Sequence, residues 1–401
     1  MNANGTLRSG DASDGVTAAK GFEAAGVVAG LKQSGGRDLA VIVNRGPLDT
    51  AAAVFTSNRA KANPVIWSQE AVKDGRAAAI VLNSGGANCF TGAFGFQTTH
   101  LTAEAAAALL GAGAGDILVA STGLIGEGDQ VFRDRVLDGV RAAVPALAAT
   151  PEAGRAASEA IMTTDTRPKR ASYASPAGWS IGGMAKGAGM LAPALATMLV
   201  VIATDAALDA PKLDEHLRAA TGLSFDRLDS DGCQSTNDHV TLMASGASGV
   251  VPEADEFRAA LIAVAQDLAQ QLMRDAEGAS HDVSIEVVGA RNEGDALEVG
   301  RSVARNNLFK TAIFGNDPNW GRVLAAIGTT QAEFDPYDVD VVMNGVRVCH
   351  AGGPDRPRDE VDLSARDVHL LIDLRVGDAA ATIWTNDLTH DYVHENSAYS
   401  S

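Results

Sequence analysis

Two hydrophobic patterns alternate along the chain and predict a mixed α/β protein. Short apolar runs of strand length occupy residues 39–44 and 77–83, and a third, at 116–126, ends in a glycine-punctuated loop. Residues 102–110 are rich in Ala and helical in pattern. Residues 283–289 alternate between apolar and polar positions, as a half-buried strand does.

The clearest helix is predicted between Pro252 and Gly278. Its apolar residues recur at steps of three or four, which places them on one face: Phe257, Leu261, Val264, Leu268 and Leu272. The glycine supplies a helix stop. The composition turns polar over 291–295, and this change predicts a boundary between a large first module and a smaller second one.

The longest uncharged run, residues 187–204, has a length that is borderline for a membrane span. Pro193 and two glycines interrupt its first half, and its second half is rich in β-branched residues, so a buried strand is the better interpretation. The first twenty residues are polar, without the apolar stretch of a secretory signal. We therefore expect no membrane association and a cytoplasmic location.

Charge and cysteine content narrow the class of partner. The 401 residues include 32 Lys and Arg against 50 Asp and Glu, a net charge of −18 at neutral pH. This balance argues against nucleic acid as a partner, since nucleic-acid binding requires a basic patch. Apolar residues make up 46% of the chain, enough for a sizeable core. Cys89, Cys233 and Cys349 are widely spaced, so neither a disulfide framework nor a thiolate zinc site is predicted.

Several common catalytic motifs do not occur in the sequence. The Gly-x-x-x-x-Gly-Lys-Ser/Thr phosphate loop and the Gly-x-Ser-x-Gly hydrolase elbow are both missing. The glycines of 111–115 precede a strand instead of following one, which favours a turn over a dinucleotide site. His390 and His394 lie four residues apart, but Tyr392 and Val393 suit a strand and no third ligand is near. No metal site is therefore predicted.

The segment Lys186–Leu199 combines a lysine, a Gly-rich turn and a threonine, Thr197, that opens an apolar strand. Taken by itself, it is typical of a turn that enters a buried strand. Two other segments add chemistry. Residues 121–126 place a hydroxyl beside a glycine amide, which suits the binding of an oxyanion. Residues 161–165 offer adjacent hydroxyls and a carboxylate after an Ala-rich helix.

With these segments, the chain resembles the ornithine acetyltransferase (glutamate N-acetyltransferase) family from about Gly15 to Ser401. Nine motifs occur in order: AAGVVAGLK (24–32), NSGGANCFTG (83–92), STGLIG (121–126), IMTTD (161–165), KGAGMLAPALATML (186–199), STND (235–238), DAEG (275–278), GNDPNWGR (315–322) and the terminal ENSAYSS. Nine ordered motifs over nearly the whole chain are far more specific than one short pattern.

The resemblance implies an enzyme that cuts its own chain at Ala196–Thr197, giving an α chain of 1–196 and a β chain of 197–401. Thr197 would be the nucleophile, with its new α-amine as the base that activates the hydroxyl. The implied reaction is ping-pong transfer of acetyl from N2-acetyl-L-ornithine to L-glutamate in arginine biosynthesis, without a cofactor. Acetyl-CoA stays open as a second acetyl donor, and the implied assembly is an α2β2 heterotetramer.

The same resemblance assigns the other site residues. The Thr122 hydroxyl and the Gly123 backbone N–H would form the oxyanion hole. The substrate would be bound by Thr197 together with five further residues: Thr163, Lys186, Glu277, Asn396 and Ser401. Lys186 suits the α-carboxylate that both amino acids carry, and Glu277 suits the side-chain ammonium of ornithine. The structural alternatives are a surface turn lysine, a solvated helix-end carboxylate and a frayed C-terminus.

The sequence departs from the family pattern at His239 and at Ser280-His281, beside the STND and DAEG motifs. We expect these changes to affect substrate preference more than the nucleophile. The structural alternative for both histidines is an exposed position at the end of an element. Three alternatives for the function stay open. The chain could be a specialised copy serving secondary metabolism, an amidohydrolase or aminopeptidase with an N-terminal nucleophile, or a non-catalytic protein that never cleaves.

For the fold, the family implies an α/β protein with a four-layer α/β/β/α sandwich. We predict a flexible tail at 1–14, the catalytic module at 15–290, and a smaller C-terminal α/β domain at 291–401 whose end returns to the site.

Overall fold

The structure is a computed structural model, and it describes residues 5–190 and 198–398. The strands in these ranges are β1 Thr6–Ser9, β2 Phe22–Val27, β3 Leu39–Asn44, β4 Thr50–Phe55, β5 Ala79–Asn83, β6 Ile117–Ser121, β7 Lys169–Ala174, β8 Ser180–Lys186, β9 Leu199–Thr204, β10 His239–Ala244, β11 Asp282–Ala290, β12 Asp340–Met343, β13 Val346–His350, β14 Gly353–Pro354, β15 Asp367–Asp373 and β16 Ala379–Asn386. The helices are α1 Asn63–Ala71, α2 Gly92–Leu110, α3 Gln130–Ala143, α4 Pro151–Ala160, α5 Ala210–Gly222, α6 Ala254–Arg274, α7 Glu293–Ala304, α8 Asn307–Phe314, α9 Trp320–Ile327 and α10 His390–Ala398.

The hydrophobic pattern corresponds closely to these elements. β3 spans the predicted 39–44 and is buried along its whole length. β9 covers the second half of the uncharged run, which confirms a buried strand there. α6 begins after Glu253, whose carboxylate accepts a hydrogen bond from the Glu256 N–H, and its five periodic apolar residues are fully buried. In the ranges described, no helix combines the length and the apolar composition that a membrane crossing requires.

Among the described residues, the strands form three sheets. The strand orders are β1-β7-β8-β9-β10-β4 in the first sheet, β2-β3-β5-β6 in the second, and β14-β13-β12-β15-β11-β16 in the third. β8 and β9 are antiparallel neighbours, and their register pairs Lys186 with Leu199. Lys186 therefore lies at the end of the first sheet at which β8 ends and β9 begins.

The first and second sheets face each other across a shared apolar core. Ile42, Ile80 and Leu82 of the second sheet belong to one cluster with Met184 and Val201 of the first. Helices α5 and α6 pack on the outer face of the first sheet, and α2 and α3 pack on the outer face of the second. Because the central strands are covered on both faces, they are nearly continuous apolar runs in the sequence.

The third sheet has its own apolar core, against which α7, α8 and α9 pack. β11 pairs with β15 on one side and with β16 on the other, so the chain enters this sheet at Asp282. That entry point precedes the boundary predicted at 290/291. The polar stretch at 291–295 instead begins α7, where the Asn292 side chain caps the helix by accepting from the Asp295 N–H.

Both ends of the described chain differ from expectation. Residues 6–9 of the predicted tail form β1, an edge strand that pairs with β7, and the Gly5 N–H donates to the Tyr173 hydroxyl at 2.8 Å. At the other end, the strand expected around Tyr392 and Val393 is wrong, because these residues lie in α10. The Thr389 hydroxyl accepts from the Tyr392 N–H at 2.9 Å and so satisfies a donor at the helix start.

Candidate active site

Thr122 and Gly123 follow β6 directly, where the second sheet ends. The Thr122 N–H donates to the Asn83 carbonyl at 2.9 Å, and the Thr122 carbonyl accepts from the Gly86 N–H at 3.0 Å. Gly123 has a φ of +133°, and a Cβ there would lie 2.4 Å from the Gly86 nitrogen. Both facts require glycine. The Gly123 N–H is thus carried on a tightly packed turn.

Lys186, the last residue of β8 in the first sheet, contacts Thr122, which follows the second sheet. Its Nζ donates to the Thr163 hydroxyl at 2.7 Å and to the Thr122 hydroxyl at 3.3 Å. Lys186 is only 1% exposed, so it is not the surface turn lysine of the structural alternative. Burial lowers the pKa of Lys186, and the negative charge of Asp165 opposes that shift. A buried ammonium in this position is suited to an anionic group of a ligand.

A buried row of alternating charges balances Lys186. Asp165 lies 3.9 Å from the Lys186 Nζ and accepts from the Lys169 Nζ at 2.5 Å. Lys169 also donates to Asp275 at 2.6 Å. Burial by itself would raise the pKa of Asp165, but the two neighbouring lysines hold it well below its usual range. Two cations and two anions leave the row without net charge, which is how a protein interior accommodates ionised groups.

Glu277 lies just beyond α6 and is half-buried. Its carboxylate accepts from the Thr164 hydroxyl at 2.8 Å and from the Asn396 side-chain amide at 2.9 Å, while its N–H donates to the Ala188 carbonyl at 2.9 Å. A Cβ on Gly189 would lie 2.5 Å from Glu277 Oε2, so glycine leaves the room that the carboxylate occupies. With these contacts, Glu277 is not the solvated helix-end carboxylate of the structural alternative.

Two carboxylates, those of half-buried Asp231 and fully buried Asp238, bind the backbone on either side of residues 191–197. The Met190 N–H donates to Asp231 at 2.8 Å, and the Met198 N–H donates to Asp238 at 3.2 Å. Asp238 is fully buried, and this burial raises its pKa. The connection between β8 and β9 is therefore held at both of its described ends, beside Lys186.

The structure brings several predicted residues together, and others lie outside its range. Direct hydrogen bonds join Thr122 and Thr163 to Lys186, and another joins Glu277 to Asn396. Three predicted residues lie outside the described residues: Ala196, Thr197 and Ser401. What is described is thus the surroundings of the predicted cleavage position, not the position itself.

His239 and His281 are both buried, so neither has the exposed position of the structural alternative. His239 begins β10, a strand between two others. Its ring lies 4.6 Å from the Phe55 ring, centroid to centroid, and its Nε2 lies 2.6 Å from the Thr241 hydroxyl oxygen. Burial lowers the pKa of His239 to about 3. His281 is 7% exposed, and its Nδ1 lies 2.8 Å from Asp387 Oδ2.

Four charged residues around the site received no role from the sequence. Asp165 and Asp275 lie inside the IMTTD and DAEG motifs, a signal that could have identified them. Lys169 and Asp231 lie in none of the nine motifs. They reach the site because distant segments meet in the fold, and no local pattern encodes such a contact.

The described side chains suit the binding of an amino acid more than that of a metal. No group of three or more His, Cys, Asp or Glu side chains could hold a metal ion within residues 5–190 and 198–398. The site instead offers hydroxyls, a backbone N–H, a buried ammonium and an oriented carboxylate. Such groups can hold a zwitterionic ligand and stabilise an oxyanion in acyl transfer.

Two solved structures resemble parts of the chain. The ornithine acetyltransferase of Mycobacterium tuberculosis, complexed with ornithine, is 50% identical and covers 47% of this chain and 98% of that chain, with a TM-score of 0.45. A beta-aminopeptidase from Burkholderia sp. is 16% identical and covers 68% of this chain and 89% of that chain, with a TM-score of 0.44.

The sequences of curated proteins give a fuller match. The arginine biosynthesis bifunctional protein ArgJ of Streptomyces coelicolor is 60% identical over 96% of this chain and 100% of its own length. The protein of the same name from Thermobifida fusca is 58% identical over the same shares. The sequence pattern of the ArgJ family matches residues 23–401. The resemblance drawn from the nine motifs is confirmed, and the chain belongs to the ArgJ family.

Proposed function

We propose that this ArgJ-family chain is an acyltransferase of arginine biosynthesis that moves acetyl from N2-acetyl-L-ornithine to L-glutamate. The observation that carries the proposal is the buried Lys186 ammonium, hydrogen-bonded to the Thr122 and Thr163 hydroxyls. Both substrates carry an α-carboxylate, and a buried cation beside hydroxyl groups is a suitable partner for that group. The names of the curated relatives support the pathway.

The chain would first cut itself between Ala196 and Thr197. The Thr197 hydroxyl oxygen attacks the Ala196 carbonyl carbon, the peptide C–N bond breaks, and the nitrogen takes up the hydroxyl proton. Water then hydrolyses the resulting ester, which leaves a carboxylate on Ala196 and a free hydroxyl and α-amine on Thr197. An α-amine has a pKa of about 8, so it can act as a general base near neutral pH.

Turnover then proceeds through an acetyl-threonine on Thr197. The donor releases ornithine, and glutamate takes the acetyl group in the second half-reaction. The Thr122 hydroxyl and the Gly123 N–H stabilise the oxyanion, and one such donor lowers the activation barrier by about 3 kcal/mol. Lys186 donates to the Thr122 oxygen, so the hydroxyl proton of Thr122 is directed elsewhere, as an oxyanion donor requires.

The remaining predicted residues discriminate between substrate side chains. Glu277, oriented by Thr164 and Asn396, is positioned to receive the side-chain ammonium of ornithine. Ser401 would contribute its hydroxyl and the terminal carboxylate from the chain end.

The proposal extends to the architecture and assembly. The first two sheets share a core, and helices cover both outer faces, which supports a four-layer α/β/β/α sandwich with a smaller C-terminal domain built on the third sheet. We further propose that the cleaved chains assemble as an α2β2 heterotetramer in the cytoplasm. The reaction needs no cofactor, and acetyl-CoA serves as a second acetyl donor, in keeping with the word bifunctional in the relatives' names.

Mass spectrometry and a two-donor assay test the proposal. We expect the purified protein to yield two pieces that meet at 196/197, and Thr197→Ala to stay intact and inactive. Ornithine release from N-acetylornithine should require glutamate. Release that ignores glutamate would favour the amidohydrolase alternative, and an uncut, active wild-type chain would refute the mechanism.

A further inference from the structure

The STND motif, residues 235–238, has no role in the reaction proposed above. It ends where β10 begins, beside the start of β9 in the same sheet. The Asn237 side-chain amide donates to the Ser121 carbonyl at 2.8 Å and to the Ala87 carbonyl at 2.7 Å, and all three residues are buried. Ser121 directly precedes Thr122. The motif therefore connects the start of β9 to the turn that carries the predicted oxyanion hole.

Met198, which follows Thr197 in the chain, is held by β10 through both of its backbone polar groups. Its N–H donates to Asp238 Oδ1 at 3.2 Å, and its carbonyl accepts from the His239 N–H at 3.1 Å. The Met198 nitrogen is bonded directly to the carbonyl carbon of Thr197. Because consecutive Cα atoms are only about 3.8 Å apart, covalent geometry keeps the Thr197 backbone within reach of the Asp238 carboxylate.

The second carboxylate oxygen of Asp238 is buried without a donor. Asp238 is fully buried, and its Oδ2 accepts no hydrogen bond from the residues that the structure describes. The hydroxyl of nearby Thr56 donates to the Ser235 carbonyl at 2.7 Å instead. Buried polar atoms in folded proteins nearly always have a partner, so an oxygen without one indicates a functional contact.

The charges around Asp238 leave room for one more cation. Burial raises the pKa of Asp238 well above its ordinary value, and the Met198 N–H and the positive charge of Lys186 on β8 oppose that shift. His239, the next residue, has a pKa of about 3 and is therefore neutral near pH 7. A cation beside Oδ2 would favour the ionised carboxylate further.

We propose that Asp238 is the positioning residue of Thr197, and that its Oδ2 accepts a hydrogen bond from the α-ammonium that the cut at 196/197 creates. The inference rests on the proposed function, since this ammonium exists only in a chain that has cut itself. The neutral amine keeps two N–H donors, so one stays on Oδ2 while the lone pair receives the proton of the Thr197 hydroxyl. Asn237 then fixes the nucleophile relative to the oxyanion hole, as acyl transfer requires.

The test is Asp238→Asn in the full chain, with Asp205→Asn as the matched control. Asp205 is also buried, accepts from the Ser180 N–H at 2.6 Å, and follows the far end of β9, so its loss disturbs the same strand away from the site. Rates are referred to the amount of cut chain, which intact mass spectrometry measures. We expect Asp238→Asn to lower kcat on the order of a hundredfold, with KM for N-acetylornithine and for glutamate changed less than about threefold. The control should keep kcat within about twofold of the wild type, because the nucleophile stays in position.

The pH dependence of kcat/KM for N-acetylornithine gives a readout that a merely structural role of Asp238 would not change. A carboxylate beside an ammonium raises the pKa of the ammonium, because it stabilises the charged form. Asp238→Asn removes this effect, so the acid limb, which reports loss of the ammonium proton, should move to lower pH by about one unit. The acid limb of Asp205→Asn should coincide with that of the wild type.

Three kinetic outcomes would each overturn the inference: equal falls in kcat for the two variants, an acid limb that does not move, or a loss that lies in KM. Should Asp238→Asn not fold or not cut, a crystal structure of the cut wild type decides. The Thr197 nitrogen should then lie within about 3.2 Å of Asp238 Oδ2, and a separation above about 4 Å overturns the inference while the proposed function stands. A wild type that stays uncut and inactive refutes the proposed function instead.

Discussion

Replacing Asp165 by Asn should disturb both the stability and the chemistry of the candidate site. The Asp165 carboxylate lies between two buried lysines, 2.5 Å from the Lys169 Nζ and 3.9 Å from the Lys186 Nζ. The backbone N–H groups of Gly187 and Thr163 also donate to it, at 2.7 and 2.9 Å, on different oxygens. Every one of these neighbours is a donor. The NH₂ group of asparagine would therefore face a donor in either orientation.

The magnitude follows from burial. Removing one partner of a buried ion pair leaves an uncompensated charge and lowers the free energy of unfolding by about 3–5 kcal/mol. The penalty for a buried N–H without an acceptor reaches the lower end of this range. The matched control is Asp138→Asn. Asp138 pairs with Arg141 at the surface, where their side chains are 73% and 60% exposed, so its loss should cost less than about 1 kcal/mol.

Urea unfolding followed by tryptophan fluorescence measures the difference. Trp179 is 2% exposed and packs against Tyr173 and Phe257 in the core of the first sheet, so its emission should report loss of that core. We expect Asp165→Asn to unfold at clearly lower urea concentration than Asp138→Asn. A difference between the two variants of less than about 1 kcal/mol would refute the reasoning that the charges of this row depend on each other.

The same substitution has a second consequence, for pH dependence. Asp165 is the strongest of the neighbours that raise the pKa of Lys186 against the lowering effect of burial. Without that carboxylate, the pKa of Lys186 should fall further below its ordinary value, and the ammonium should be lost at lower pH. The alkaline limb of the acetyl-transfer profile should therefore move toward neutral pH. An alkaline limb that stays in place would argue against a substrate-binding role for the charged form of Lys186.

Three other substitutions test separate features. His239 has a pKa of about 3 in the fold against 6.5 for a free histidine, so the unfolded chain binds a proton that the fold does not. Stability should fall as pH drops from about 6.5 toward 3, by up to about 1.4 kcal/mol per unit, and His239→Gln should remove that part of the slope in urea titrations. Glu277→Gln should lower kcat/KM for N-acetylornithine by about tenfold or more, whereas Glu395→Gln on exposed α10 should not. Gly189→Ala places a Cβ 2.5 Å from the Glu277 carboxylate and should reduce the same parameter, whereas Gly115→Ala meets nothing within 4 Å and should leave it unchanged.

Elements with a strong local pattern could be predicted from the sequence. The helical period of α6 and the continuous apolar runs of β3 and β9 predict their burial, because two covered faces leave no polar positions. β1 could not be predicted in this way. All four of its residues are exposed on an edge strand. They are ordered by pairing with β7, which is distant in the sequence.

The histidines show the limit of residue type as a guide. A polar residue at the start of a strand is expected at the surface, yet His239 is enclosed because β10 lies between β9 and β4. Strand order is a tertiary property that the sequence around residue 239 does not carry. The charged row has the same origin, since Lys169 and Asp275 are 106 residues apart and meet only because β7 and the end of α6 are neighbours.

The position of the proposed cut raises the question of what would hold the two pieces together. Residues 5–190 supply Lys186 and residues 198–398 supply Glu277, so neither piece would contain the described site by itself. β8 and β9 pair along six registered positions across the cut, and buried Lys169 bonds Asp275 on the other side of it. Separating the pieces would expose the hydrogen-bonding groups of β8 and β9 to solvent and would break a buried ion pair. The free energy that this costs is much larger than the contribution of the one peptide bond that is cut. The cleaved pieces should therefore co-elute in gel filtration without denaturant, and their separation under those conditions would contradict this account of the fold.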